Sequence, residues 1–446
     1  MKICLIDPGF TFYPYQSLGI LYIGSFLEEN GKEVCFLNFS GQKIDEEKIR
    51  KILTDIKPDI LGITCAFGQI KRTLLISKVA KELGAKVVCG GLAPTALPMS
   101  FIENDCIDYV VVGEGEHTML ELCEAIENKK PLKKVKGLVF KENGKKIWTG
   151  KREEADLNKL PPPAWYMVNE KLIKRLEYVY VVGSRGCNYR CSHCFNRCFG
   201  SNRLRTRNPK SIVDEIEYLY RKYGIKNFKF GDNDFTLDEK WGREICREII
   251  KRKIKIKWTC FSHIRDLSLD LLRLMRRAGC IQICFGVESG SEKVLKILNR
   301  SLNLEVAKKC MGNCKRTGIL VLTSFIFGIP GDEVKELKKT VEVIKELKPD
   351  ICSVFWYTPI PGTPLFEIAK KCGLKERRLG DWDNLNLFTN FRLVKDKKYN
   401  LLATKIKRNL KICFLLKAKF IFLPKIFGIR RAFRIIMREI FNKIFR

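Results

Sequence analysis

The sequence predicts an α/β protein made of two successive parallel-sheet halves and a basic helical tail. Three observations carry this reading. Apolar strand segments alternate with helical periodicity through residues 1–128. The same alternation resumes near residue 176 and runs to about 390, after a stretch broken by prolines. Beyond residue 391, Lys and Arg interleave with bulky apolar residues.

In the first half, Lys2–Asp7 is an apolar strand ending in Asp7-Pro-Gly, a turn signal. Leu18–Asn30 has helical spacing and stops at Asn30-Gly31. Glu33–Asn38 is a strand, Glu46–Ile56 a helix and Asp59–Ala66 a strand rich in Ile, Leu and Thr. Thr73–Leu83 is a helix closed by Gly84. Lys86–Cys89 and Tyr109–Val112 are strands that run into Gly90-Gly91 and Gly113-Glu-Gly-Glu116, and His117–Asn128 is helical. This is the pace of βαβ units, so residues 1–128 are expected to form a doubly wound, Rossmann-like parallel sheet. Ligands of such sheets sit at the carboxyl ends of the strands. Glycine-rich turns there let a ligand approach the backbone.

Residues 129–175 read as a connector. Gly137–Trp148 is a hairpin turning at Asn143-Gly144. Asp156–Trp165 holds Pro161, Pro162 and Pro163, a stiff extended segment between domains.

The second half is organised around Ser184–Cys198, whose core is Cys187-x3-Cys191-x2-Cys194. Three thiolates at this spacing can hold three irons of a 4Fe–4S cube and leave the last iron open. An open metal position is what a catalytic site needs. A zinc site using the three cysteines and His193 is the rival reading, although zinc modules usually show two separated ligand pairs. Cys198 reads as a bystander thiol.

After this loop come helix Pro209–Tyr223, strand Asn227–Phe230 and the turn Gly231–Thr236. Helix Glu239–Arg252, strand Lys255–Phe261, helix Ser268–Ala278 and strand Ile281–Val287 follow, the last ending in Glu288-Ser-Gly-Ser291. Helix Leu304–Thr317 leads to strand Leu320–Phe327 and Gly328-Ile-Pro-Gly331, then to helix Val334–Leu347 and strand Ile351–Tyr357. With the strand at Tyr178 the repeats are too few to close an eight-stranded barrel. An open, partial (β/α)6 barrel over 176–390 is expected.

On these motifs the chain resembles the radical S-adenosylmethionine enzymes over roughly residues 1–390. The resemblance implies that Cys187, Cys191 and Cys194 hold the cluster and are catalytic. S-adenosylmethionine would then be split into a 5′-deoxyadenosyl radical by an electron from a donor such as flavodoxin or ferredoxin. His193 stands where the family usually has an aromatic residue. The resemblance places His193, Phe195, Asp232, Glu288, Ser289 and Gly328 at S-adenosylmethionine, with helix capping and a plain strand–helix turn as the alternatives for Glu288, Ser289 and Gly328.

The stretches Ser17–Val34, Gly90–Thr95 and Val112–Thr118 resemble the cobalamin-binding domain attached to many of these enzymes. They imply cobalamin contacts from Leu18, Gly19, Thr64, Gly90, Gly91, Thr95, Glu114 and Gly115. An Asp-x-His-x-x-Gly loop, whose histidine ligates cobalt elsewhere, does not occur, and His117 reads as a surface or capping residue. The implied activity is methylation of an unactivated carbon, with cyclisation and other rearrangements on the same scaffold.

Asp232 and Asp234 can orient the nucleoside or substrate, act as an acid/base pair, or cap a helix. Arg203, Arg205 and Arg207 read either as an anion site or as solvated surface. Cys280 with Cys284 and Cys310 with Cys314 read as core fillers.

The chain carries nineteen cysteines and a net charge of +33. At 446 residues the thiols do not read as a disulfide framework, and no leader pattern precedes the first strand, so a reducing cytoplasm is expected. The tail 401–446, with Phe433, Ile436, Ile440 and Ile444 at helical spacing, reads as an amphipathic helix on an anionic membrane surface at the inner face. Nucleic-acid binding is its rival. A lipid substrate would suit the membrane reading. The alternatives for the whole chain are an RNA-modifying enzyme resembling the methylthiotransferases and a zinc- and membrane-binding adaptor without activity.

Overall fold

The computed structural model describes residues 1–11, 15–199, 203–375, 378–384 and 394–417. It divides into two compact units, Met1–Ile225 with Thr358–Thr389, and Lys226–Tyr357 with Asn390–Arg446. The boundaries expected at 128 and 175 fall inside unit 1, and the one expected at 390 lies one residue from its end at Thr389.

Unit 1 opens with β1 (Lys2–Asp7), α1 (Leu18–Glu29), β2 (Glu33–Asn38), α2 (Glu46–Ile56), β3 (Ile60–Thr64) and α3 (Ile70–Glu82). It continues with β4 (Lys86–Gly90), α4 (Leu92–Ala96), α5 (Pro98–Ile102), β5 (Tyr109–Val111), α6 (Glu116–Glu127), β6 (Leu138–Glu142) and β7 (Lys145–Trp148). The strands lie in the order β2-β1-β3-β4-β5-β6-β7. The first five are parallel, and β6 and β7 are antiparallel.

A parallel sheet is covered on both faces, which is why its strands are apolar throughout rather than alternating. Cys4, Ile6, Leu61 and Ile63 are buried on one face, Ile3, Leu5, Ile60 and Val88 on the other. Asn143 and Gly144 both have positive φ, 50° and 74°, as the expected two-residue hairpin turn requires. The hairpin is not a connector, however: β6 pairs with β5 and extends the sheet.

The unit goes on with α7 (Glu170–Arg175), β8 (Val179–Val181), β9 (Ser184–Arg185), α8 (Asn196–Phe199), β10 (Arg205–Thr206) and α9 (Pro209–Tyr223). β9 and β10 pair antiparallel with Arg185 opposite Arg205, so the cysteine loop hangs from a short ribbon.

Unit 2 contains β11 (Asn227–Phe230), α10 (Glu239–Lys251), β12 (Lys257–His263), α11 (Leu269–Arg277), β13 (Cys280–Glu288), α12 (Glu292–Ile297), α13 (Leu304–Arg316), β14 (Leu320–Phe327), α14 (Val334–Leu347) and β15 (Ile351–Trp356). Its strands are parallel and neighbour one another in chain order, the β/α succession of an open barrel. Asp238, Ser268, Ser291 and Asn303 each accept a backbone N–H at a helix start. Alternate residues such as Phe228, Phe230, Trp258, Phe285 and Val321 are fully buried, whereas Lys229, Thr259, Phe261, Cys284 and Ser324 between them are half-buried. One face is thus sealed and the other partly open.

The chain then contributes α15 (Pro364–Lys371) to unit 1 and α16 (Lys397–Lys417) to unit 2. The amphipathic helix expected over Arg430–Arg446 lies outside the described residues. Among the described residues, no helix is long and apolar enough to cross a membrane.

Candidate active site

Cys191 is buried, and Cys187 and Cys194 are half-buried in the loop between β9 and α8. The segment after residue 358 braces this loop within unit 1. Leu365 N donates to Ser192 O at 2.9 Å, and the Cys198 thiol donates to Pro361 O at 3.2 Å. Burial pushes the Cys198 thiol up to about 12, with the neighbouring Cys194 adding to it. Among the described residues no group of three His, Cys, Asp or Glu side chains converges on one point where a single ion would sit. A cube takes its thiolates on separate irons, and three soft donors on one loop suit that group.

Of the three arginines read as either an anion site or solvated surface, Arg205 and Arg207 are both engaged by carboxylates. Arg205 pairs with Glu114, donates to Ala155 O at 2.6 Å and lies 3.2 Å from Glu154. Arg185 reaches Glu116 at 2.7 Å and Glu114 at 3.5 Å. Arg207 donates to Glu215 and to the Tyr22 hydroxyl, both at 2.7 Å. Buried charges are expensive unless paired, and here each of these arginines meets a carboxylate. Burial opposes ionisation of Glu114, but the Arg205 hydrogen bond and both guanidinium charges outweigh it, holding its carboxyl below the usual range. The two strands flanking the cysteine loop are therefore pinned to the Gly113-Glu-Gly-Glu116 turn, which follows β5.

The residues expected at cobalamin gather at the carboxyl edge of the unit 1 sheet. Leu18 is half-buried and Gly19 exposed, with open space where its Cβ would stand. Gly91 has φ +97°, and a Cβ there would meet Thr64 Oγ1 at 2.9 Å, so close packing on the end of β3 already demands glycine. Gly90 is half-buried beside it. Thr95 Oγ1 accepts from Gly113 N at 3.0 Å, and Gly115 packs against Ile23. Asp7, fully buried, accepts from Gly9 N and Ser17 N at 2.9 and 2.8 Å and so holds those two residues to the end of β1. Burial pushes its carboxyl up to about 6. His117 stacks edge-on against Phe26 at 4.8 Å, a packing role. The uncovered backbone at Gly19 and Gly113 fits a broad planar group lying over this edge.

In unit 2 the expected residues lie at the carboxyl ends of the strands. Glu288 has φ +68°, an uncommon conformation for glutamate that costs about 1–2 kcal/mol. Its carboxylate folds back over Gly286, where a Cβ would stand 2.3 Å from Oε1. Burial pushes Glu288 up to about 7, against the pull of Arg300. Arg300 itself donates to Gly286 O at 2.5 Å.

Ser289 is committed to the fold: its hydroxyl lies 3.0 Å from that of Thr340 and accepts from Ser291 N at 3.1 Å. Gly328 has φ +77°, and a Cβ would press on Trp356 at 3.0 Å. Asp232 is fully buried. Asp234 pairs with Arg265 and accepts from Thr236 N at 3.1 Å. It is an ion-paired strand-end residue, and burial is the main force raising its carboxyl. His193 and Phe195 are half-buried in unit 1, Phe195 edge-on to Phe199 at 5.1 Å.

Sequence reasoning missed Tyr357, buried just past β15, whose hydroxyl meets no hydrogen-bond partner among the described residues. It also missed Tyr399, from the first turn of α16, whose hydroxyl accepts from Gly328 N at 2.9 Å and donates to Asp332. An aromatic in a basic tail carries no local signal for such a contact.

A family model described as the radical SAM superfamily matches residues 181–344, and one described as a B12 binding domain matches residues 11–123. An uncharacterized methyltransferase of Pyrococcus horikoshii is 30% identical over 358 residues, 79% of this chain and 78% of that protein. The cytidylyl-2-hydroxyethylphosphonate methyltransferase of Streptomyces wedmorensis is 26% identical over 439 residues, 83% of this chain and 81% of that protein. Among solved structures, the cobalamin-dependent S-adenosylmethionine radical enzyme OxsB with aqua-cobalamin and S-adenosylmethionine bound gives a TM-score of 0.77 at 19% identity, over 98% of this chain and 71% of that one. The radical S-adenosylmethionine methyltransferase TsrM from Kitasatospora setae, with cobalamin and a 4Fe–4S cluster bound, gives 0.74 at 21% identity, over 83% and 75%. These structures share the fold. The cysteine loop and the glycine-edged parallel sheet lie where the two family models match, and the chain belongs to the cobalamin-dependent radical S-adenosylmethionine enzymes.

Proposed function

We propose that the protein is a methyltransferase acting on an unactivated carbon of a small molecule. The observation that carries the reading is the trio Cys187, Cys191 and Cys194 on a loop pinned by Arg185 and Arg205 to the edge expected to carry cobalamin. Methyltransferases among the relatives support it, as does a TsrM structure with tryptophan substrate bound. When bound, the cluster, S-adenosylmethionine and cobalamin supply the electron, the radical source and the methyl carrier.

The chain's own residues bind and orient. The three cysteines would hold the cluster, and His193 and Phe195 would flank it. Glu288 would accept hydrogen bonds from S-adenosylmethionine, and its strained backbone would keep its carboxylate turned back over β13. Asp232 and the backbone at Gly328 would shape the same cofactor's place, with Ser289 setting the turn. Leu18, Gly19, Thr64, Gly90, Gly91, Thr95 and Gly115 would line the cobalamin edge, with Glu114 positioning it through Arg205. The cationic tail 401–446 would rest on an anionic membrane surface, and a lipid would then be within reach. Flavodoxin or ferredoxin would deliver the electron.

Anaerobic purification and reconstitution test this. Brown, iron-rich protein that binds corrinoid and releases 5′-deoxyadenosine is expected. Colourless protein, or iron-loaded protein that retains no corrinoid, would refute it. Binding to anionic liposomes that is unchanged by removing residues 401–446 would remove the membrane proposal.

A further inference from the structure

Strand β7 ends the sheet of unit 1: it pairs with β6 on one side and, among the described residues, with no strand on the other. Residues 129–152, which include it, hold nine lysines and Arg152 against a single acid, Glu142. All nine lysines are exposed. The fold joins the lysines before the hairpin to those on it. Lys133 lies 2.6 Å from Glu142, which is in register with Lys145 beside the hairpin turn. Lys136 donates to Thr149 O at 3.3 Å, next to Trp148. Val139 is buried with Phe101 and Ile102 of α5, whereas Trp148, opposite it on β7, stays 41% exposed.

Lysines on an edge strand keep it from pairing with another chain. That accounts for Lys145 and Lys146 on β7, but not for the lysines at 129–136, which precede the hairpin. Nor does it account for a bare indole, a group that proteins mostly bury. An indole has an apolar ring and a polar N–H, which suits a boundary between water and hydrocarbon. Lysines at such a boundary are drawn to anionic headgroups, each strengthening binding by a factor of about five. Nucleic-acid recognition favours the planar fork of arginine. The one arginine of this stretch, Arg152, has its guanidinium engaged by Glu121. We propose that this surface docks unit 1 on an anionic lipid bilayer, with the lysines at the headgroups and Trp148 entering the interface. Such docking is independent of the methyltransferase reading and uses none of the tail 401–446.

The full-length protein is mixed with phosphatidylcholine vesicles, with and without phosphatidylglycerol, whose acyl chains carry bromine to quench nearby tryptophan. Binding and quenching are expected only with the anionic lipid. Lys129→Gln, Lys134→Gln and Lys145→Gln together are expected to weaken binding roughly a hundredfold. As many changes beside the opposite edge strand β2, Lys43→Gln, Lys51→Gln and Lys57→Gln, are expected to weaken it by less than about threefold. Trp148→Phe is expected to keep most of the binding and lose most of the quenching. Equal losses in the two triple variants would overturn the proposal, because overall charge alone would then explain binding. So would quenching unchanged in Trp148→Phe. Binding of a duplex oligonucleotide that the first triple variant loses while keeping the vesicles would overturn it too, and assign the face to nucleic acid. Removing residues 401–446 tests the tail separately, and iron content with 5′-deoxyadenosine release tests the methyltransferase reading.

Discussion

Tyr399 and Asp332, sixty-seven positions apart, share a buried hydrogen bond that ties the first turn of α16 to the turn after β14. The same hydroxyl accepts the Gly328 N–H, so one side chain from the basic tail holds a turn expected to pass the adenine of S-adenosylmethionine.

Replacing Tyr399 with Phe leaves the buried Gly328 N–H and the Asp332 carboxylate without that partner, a loss of about 1–3 kcal/mol. Burial already pushes Asp332 up to about 6, and the Tyr399 bond pulls it down, so the variant titrates higher. A carboxyl raised in the folded state binds its proton more tightly there, and stability falls as pH rises toward that value. Urea melts at pH 5 and 8 are expected to show a larger drop for the variant than for the parent. Superimposable curves would remove Tyr399 from this role.

Glu288→Gln addresses a larger pH effect. The parent carboxyl goes from 4.5 to about 7 on folding. Its penalty therefore grows as pH rises through this window and is complete above it, reaching at most about 3 kcal/mol. Glutamine is expected to raise stability at pH 8, flatten its pH dependence and weaken S-adenosylmethionine binding. Calorimetry and equilibrium dialysis read the two effects, and tight cofactor binding in a stabilised variant would strike Glu288 from the site.

Cys198→Ala is expected to keep the full iron content and cluster signal, because this thiol donates to Pro361 O. Alanine at Cys187, Cys191 or Cys194 is expected to lose both. Iron assay and electron paramagnetic resonance after anaerobic reconstitution decide, and iron loss in Cys198→Ala would make it a ligand.

Burial separates ion pairs that look alike on paper. Glu116 is buried against Arg185, with side chains 3% and 18% exposed, and removing one partner of such a pair costs about 3–5 kcal/mol. Glu46 and Arg50 are 45% and 40% exposed, and losing that pair costs little because water already screens both charges. Denaturation of Glu116→Ala and Glu46→Ala side by side checks the contrast, and equal losses would refute it.

Local signals made much of the fold readable. Helix α9 begins after Asn208, which accepts Lys210 N, has proline at its start and ends at Gly224 with φ +69°. All of these cues are neighbours in sequence, and its bounds were legible. Helix α3 was read as starting at Thr73 but starts at Ile70, because its first N–H groups are capped from a distance. Asp383 accepts from Ile70 N at 2.6 Å and from Lys71 N at 2.7 Å.

The site divides the same way. Cysteine spacing exposed the loop, whereas the Arg205–Glu114 pairing joins residues 91 positions apart and makes Arg205, read as either an anion site or solvated surface, an internal tie.

Leu365 and Pro361 support the cysteine loop, yet the whole of Lys226–Tyr357 is synthesised before them. On the ribosome, Cys187, Cys191 and Cys194 emerge long before their last backbone support exists. Until the chain past residue 358 has been made, the cysteine loop therefore lacks the hydrogen bonds to Leu365 and Pro361 that complete its support.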